Sequence, residues 1–255
     1  MKFHTLCPNC AIETPNNVTL GSIIFNDSGV YEFQCNNNHV SNIILQEEQF
    51  QVLFEIGIDS LATEHPIEAI VAFAASLERY YEYSIKVMTS EKCIDLAESK
   101  ASWQAMGKFS ERRLGAFIFT FLLTLNCTPK TLRNKLIELR NEIVHNGKIP
   151  TAQEALEYGQ GVLEVIVHNY KISTERLNNA ISKLRFENFE VSKEKTNKDA
   201  YCTLHSSIGS AITRVMESKD NVKPTLNEFV ESAKEKINRY SKLAVPFKQT
   251  DKKIK

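Results

Sequence analysis

From Glu47 onward the apolar residues recur at helical spacing almost without a break, whereas the first 45 positions read as short, strand-like runs. Phe50, Leu53, Phe54, Ile58 and Leu61 mark one face of a first helix, which His65-Pro66 closes while opening the next. Ile67, Ile70, Phe73, Ala74, Leu77, Tyr81, Ile85 and Met88 then stripe a long second helix. Its end, Leu77 to Tyr83, mixes charge with aromatics; at helical spacing such aromatics read as core rather than as a stacking surface. After a less regular connection over 89–108, with a short helix around 93–101, the run LGAFIFTFLLTL at 114–125 reads as a buried helix. It is well under the roughly 18 to 20 apolar residues that a membrane span needs.

A further helix is predicted over 128–146, opened by Thr128-Pro129 and stopped by Gly147 with Pro150 beyond. Thr151 and Glu154 have capping-box spacing and start the next helix through Leu156, Val162, Leu163 and Ile166. Leu177, Ile181 and Leu184 continue the pattern, and SKEKTNKD at 192–199 reads as a linker. Beyond it, Leu204, Ile208, Ile212 and Val215 suggest one arm of a helical hairpin. A second capping box, Thr225 and Glu228, opens the other arm through Leu226, Phe229, Ala233, Ile237 and Tyr240. Residues 220–224 are its expected turn, and Lys252, Lys253 and Lys255 an expected frayed tail. The fold class is therefore mainly α: a small β unit at 1–45, an α-helical bundle at 46–190 and a helical hairpin at 200–245.

Composition narrows the function classes. With 31 basic and 31 acidic residues the chain is neutral, so any nucleic-acid site has to be local. No basic segment followed by an apolar run opens the chain, and the cysteines do not form a disulfide framework. The expectation is a cytoplasmic protein without a membrane partner. There is no internal repeat, Gly-rich phosphate loop or paired-carboxylate metal motif.

Two constellations carry possible chemistry. Cys7-Pro8-Asn9-Cys10 and Cys35 with His39 form two pairs at a spacing suited to tetrahedral metal, with strand-like runs at 18–25 and 30–34 between them and a turn at Asn26-Asp27-Ser28-Gly29. This resembles a zinc ribbon, which implies one structural Zn2+ held by Cys7, Cys10, Cys35 and His39. The alternative is unmetallated thiols in a small hairpin. Lys2 is the single basic residue up to Gln46, so this surface does not suit phosphate.

The second lies at the end of the 128–146 helix, where Asn141 and His145 (i, i+4) share a face and Arg140 flanks it. Histidine titrates near neutrality and can act as acid or base, and arginine can hold phosphate in two hydrogen bonds. An arginine, a polar residue and a histidine after four intervening positions, late on a helix in a helical domain, resemble the HEPN superfamily. That resemblance implies a metal-independent endoribonuclease whose site forms between two copies, with Arg140, Asn141 and His145 as catalytic residues. It further implies RNA and a homodimer as partners, and a toxin or antiviral-defence setting with a cognate antitoxin or defence-system protein. Lys130, Arg133, Lys135 and Lys148 form a locally basic strip expected to contact RNA. The tyrosine that some HEPN proteins carry two positions after the histidine is Gly147 here. The competing reading is a non-catalytic HEPN-like module for nucleotide binding or protein interaction, with the ribbon as adaptor and His145 merely capping its helix.

Overall fold

The computed structural model describes residues 2–13, 20–107, 109–200, 202–218, 224–243, 245–246 and 248–249. Chain order is β1 (Lys2–Leu6), α1 (Pro8–Glu13), β2 (Leu20–Ile24), β3 (Val30–Gln34), β4 (Val40–Leu45), α2 (Gln49–Ala62), α3 (Pro66–Glu91), α4 (Leu96–Met106) and α5 (Ser110–Leu125). It continues with α6 (Asn134–Asn146), α7 (Ala152–Arg176), α8 (Asn178–Glu194), β5 (Cys202–Ser206), α9 (Ala211–Glu217), α10 (Leu226–Leu243), β6 (Val245–Pro246) and β7 (Lys248–Gln249). The fold is mainly α with a small N-terminal β unit, and among the described residues no helix is long and apolar enough to cross a membrane.

Local chemistry explains most helix ends. Glu48 and Gln51 cap α2 reciprocally, Pro66 sits in the first turn of α3, and the Asp95 carboxylate accepts from the Ala97 and Glu98 N–H groups to start α4. Both expected Thr-x-x-Glu boxes form. Glu154 N–H donates to Thr151 Oγ1 at 3.1 Å, and Thr225 N–H donates to Glu228 Oε2 at 2.7 Å.

The hydrophobic core centres on α3, which packs against α2, α5, α6, α7 and α8. Phe50, Tyr80, Tyr83, Phe117 and Tyr170 interlock there edge to face or tilted, so the aromatics of 77–83 are indeed core. Phe73 is pinched between α2 and α7: a Cβ at either Gly57 or Gly159 would collide with its ring.

Several segments depart from the sequence reading. The run at 114–125 is not wholly buried. Phe117, Phe121 and Leu125 face the core, while Phe119 and Leu123 are exposed at 65% and 77%. The helix expected from Thr128 begins at Asn134. The preceding segment stays extended because the buried Asn169 amide takes both backbone groups of Lys130, at 2.8 Å each. The pattern continued by Leu177, Ile181 and Leu184 is broken at Leu177, which ends α7 and precedes α8.

The first arm of the C-terminal hairpin is a strand followed by a short helix. β5 pairs parallel to β4, Ser41 opposite Cys202 through Leu45 opposite Ser206, and α9 follows it. Leu204 and Ile208 join the core of the β unit, a long-range pairing that no local spacing announces. The sheets run β1-β2-β6 and β5-β4-β3-β7. The β unit is therefore not confined to residues 1–45. The expected turn at 220–224 (all but Pro224), the start of the run at 18–25, and the lysines at 252, 253 and 255 lie outside the described residues.

Candidate functional site

The metal-competent cluster is assembled by two tight turns. β1 delivers Cys7, whose carbonyl accepts from Ala11 N–H at 3.1 Å and so starts α1; Cys10, one turn on, returns to the same side. At the other corner Cys35 to His39 closes the β3–β4 connection. Asn38 N–H donates to Cys35 O at 2.9 Å, Cys35 N–H donates to His39 O at 3.1 Å, and Asn38 takes the left-handed conformation (φ 65°) that asparagine tolerates.

The four ligand atoms lie within 4.8 Å of one another. His39 Nδ1 is 3.7 Å from Cys7 Sγ and 3.4 Å from Cys10 Sγ, and the Cys10 and Cys35 sulfurs are 3.7 Å apart. A tetrahedral ion with thiolate bonds of about 2.3 Å has S···S edges of about 3.8 Å. The cluster therefore already has the dimensions of a coordination shell, and it could hold a metal ion. Burial pushes the Cys7 thiol up to about 12, against the N–H groups of Cys10 and Asn9, which lower it. At Cys35 burial also raises the thiol, but the N–H groups of His39 and Asn37 outweigh it and bring it below the usual range. A cation would supply the charge compensation that the protein gives only in part.

His39 is oriented from behind. Its Nε2 lies 3.2 Å from the Glu13 carboxylate, so that the Nδ1 lone pair is left facing the sulfurs. Nothing in the sequence pattern pointed to Glu13; its role exists only because α1 carries it past the β3–β4 turn.

The helix-end constellation is built on α6. This helix buries only Leu136 and Ile143, and it comes close to α7 because Gly161 has no Cβ to strike Leu136. Gly147 ends it in the left-handed conformation (φ 70°). The stripe beside that buried edge carries Ile137, Arg140, Asn141, Val144 and His145, with Arg140 half-buried and the other four exposed. Arg140 Nη1 donates to Asn141 Oδ1 at 3.2 Å, bringing two of the three motif residues together. His145 is exposed, with no hydrogen bond or ion pair among the described residues.

Beneath that face lies a charge cluster the sequence reading missed. Arg140 Nη2 is 3.7 Å from Glu78, which also meets Arg113 of α5 at 3.7 Å. Glu82, one turn along α3, is held at 3.0 Å by both Arg113 and Arg79. Two carboxylates at i, i+4 with an adjacent arginine were the available signal, masked by the aromatics between them. The buried Tyr158 forms the floor near Arg140, its hydroxyl pushed up by burial, while that guanidinium opposes the shift.

The expected basic strip is dispersed. Lys130 pairs with Glu164 at 3.1 Å, and Lys148 with Glu142 and Glu154 at 3.0 Å each. Arg133, at the far end of α6, stands about 18 Å from His145 at a rise of about 1.5 Å per residue, and Lys130 lies before the helix begins. Lys135 is exposed on another side of the helix.

Comparison of the chain with protein-family models, with curated proteins and with solved structures gives no match in any of the three.

Proposed function

We propose that the chain is a metal-independent endoribonuclease of HEPN type, active as a homodimer, whose N-terminal unit is held by one structural zinc ion. The observation that carries the reading is the exposed face of α6. Arg140 and Asn141 are joined there, His145 stands free one turn on, and Ile137 and Val144 border them at 37% and 46% exposure. That face offers proton-transfer and phosphate-holding groups with apolar area for a second copy to cover.

In this mechanism the 2′-oxygen bonds to the adjacent phosphorus as the bond to the 5′-oxygen breaks. His145 of one copy takes the 2′ proton, the second copy's His145 gives a proton to the departing 5′-oxygen, and Arg140 holds the charge that develops on phosphate. The products are a cyclic phosphate and a 5′-hydroxyl end. Zinc stays outside the reaction because Cys7, Cys10, Cys35 and His39 fill all four positions of a tetrahedral site. Soft thiolates with one imidazole favour zinc among the divalent ions of the cell. Metal analysis of the purified chain is expected to find one zinc per protomer, lost in Cys35→Ala.

The test is cleavage of single-stranded RNA by wild type, Arg140→Ala and His145→Ala. Both variants are expected to abolish cleavage, and any toxicity on overexpression, while keeping helicity and dimer. Equal cleavage by wild type and His145→Ala overturns the reading.

One observation favours the competing module: Arg140, Lys130 and Lys148 all have carboxylate partners within the chain, as befits a docking face. No cleavage by wild type with a stable dimer is its expected result.

A further inference from the structure

An open cleft of about 410 Å³ lies between α3 and α4, lined by Glu82, Lys86, Lys100, Trp103 and Gln104. Trp103 is the single tryptophan of the chain. One part of its indole packs against the bundle core and the rest stays accessible, with Lys86 Nζ 6.0 Å from the ring centroid. Lys100, Trp103 and Gln104 occupy i, i+3 and i+4 of α4 and so share one face. Lys86, Lys100 and Gln104 are all exposed. The one carboxylate in the lining, Glu82, is already engaged by Arg79 and Arg113.

Those arginines lead on to the motif. Arg113 shares Glu78 with Arg140, and Glu78 lies two turns of α3, about 12 Å, from Lys86. An aromatic plane flanked by two ammonium groups and an amide suits a single strand of nucleic acid. One base stacks on the ring, the lysines meet its phosphates, and the amide reaches the base edge.

We infer that the α3–α4 cleft is a base-stacking subsite for single-stranded RNA, which leads the strand to the Arg140–His145 face. The inference rests on the ribonuclease reading for its substrate, but binding at the cleft is measured apart from cleavage. It also relocates the stacking surface. The tyrosines of α3, closest in sequence to the charge cluster, are buried, whereas Trp103 stays partly accessible beside Lys86 and Lys100.

The test uses full-length His145→Ala protein, so that the strand stays intact, and a single-stranded oligoadenylate of about 12 nucleotides. Binding is expected to quench the Trp103 fluorescence, and the same sequence in a duplex is not. Lys86→Gln with Lys100→Gln leaves the reporter in place and is expected to weaken binding about tenfold. It should also reduce the salt dependence by about 1.4 logarithmic units per decade, at about 0.7 for each lost phosphate contact. Trp103→Leu, checked for fold by circular dichroism, is expected to lose about tenfold in affinity measured by anisotropy of a labelled strand. No quenching, or quenching with unchanged affinity in the lysine variant, overturns the inference. If wild type cleaves RNA with the same KM as Trp103→Leu, the subsite fails while the ribonuclease reading stands. If the strand binds as described and wild type does not cleave, the reverse holds.

Discussion

Arg140 of α6 and Glu78 of α3 face each other at 3.7 Å, and the same carboxylate meets Arg113 of α5 at 3.7 Å. Glu78 thus links three helices at the point where the motif leaves the bundle. Neither partner of the Arg140 pair is deeply buried, at 28% and 27% side-chain exposure, and ion pairs of that kind are worth about 0 to 1 kcal/mol. On the proposed ribonuclease reading, a phosphate that offers Arg140 two oxygens would displace Glu78 at little cost.

The two carboxylates should therefore separate in their effects. Glu78→Gln is expected to leave stability within about 1 kcal/mol of wild type and to tighten RNA binding, since it frees Arg140. Glu82 is exposed at only 15% and its Arg113 partner at 12%, so Glu82→Gln takes from Arg113 and Arg79 the nearer of their two carboxylates, in a drier place. Its expected cost is about 1 to 3 kcal/mol. Urea unfolding of the two variants checks this; equal losses would mean that Glu78 carries as much of the fold as Glu82.

At the cysteine and histidine cluster the carboxylate behind His39 is open to test. Glu13→Ala removes the group that fixes His39 with Nδ1 toward the sulfurs, and is expected to weaken zinc binding by about 10- to 100-fold, with Glu13→Gln in between. Competition against a chromophoric chelator reads this directly. Affinity unchanged in both variants would show that His39 holds its orientation without Glu13.

What the sequence made legible follows the range of the physics. Capping boxes at Thr151 and Thr225, the Gly147 stop and the Cys/His spacing are local patterns, and each appears in the structure. Pairing of β5 with β4 joins residues some 160 positions apart, and the apolar periodicity in 204–215 reads as helical although Leu204 and Ile208, partly buried, pack against a β core. Arg140 meeting Asn141 could be read from helix geometry. Arg140 meeting Glu78, and Glu13 meeting His39, depend on how elements pack, which no spacing within one element encodes.

The ring of Phe73 offers a test of packing. Since a Cβ at Gly57 or at Gly159 would overlap that buried ring from opposite sides, Gly57→Ala and Gly159→Ala each force Phe73 or a helix to shift. Helix propensity favours alanine by about 1 kcal/mol, yet overpacking costs about 1 to 3 kcal/mol. Net destabilisation is expected in both, relieved in part by Phe73→Leu. A variant more stable than wild type would show that α2 and α7 can part without cost.

Glu55 supplies the pH dependence. It sits on α2 under α9, where Ala211 N–H donates to its Oε1, and burial raises its carboxyl from 4.5 to about 7 against the pull of that N–H, Arg214 and Lys236, with Asp59 reinforcing the rise. The folded chain thus binds this proton more tightly than the unfolded chain does. Its contribution to stability is greatest below about 4.5 and is lost as pH rises through about 7, a change of roughly 3 kcal/mol at about 1.4 kcal/mol per unit. Glu55→Gln keeps an oxygen for the Ala211 N–H and cannot ionise. Its stability minus that of wild type, from urea unfolding between pH 5 and pH 8, is expected to grow toward alkaline pH, and acid-linked changes shared by both chains cancel in that difference. A flat difference would mean that Arg214 and Lys236 neutralise the carboxylate in place, and that its charge costs the fold nothing.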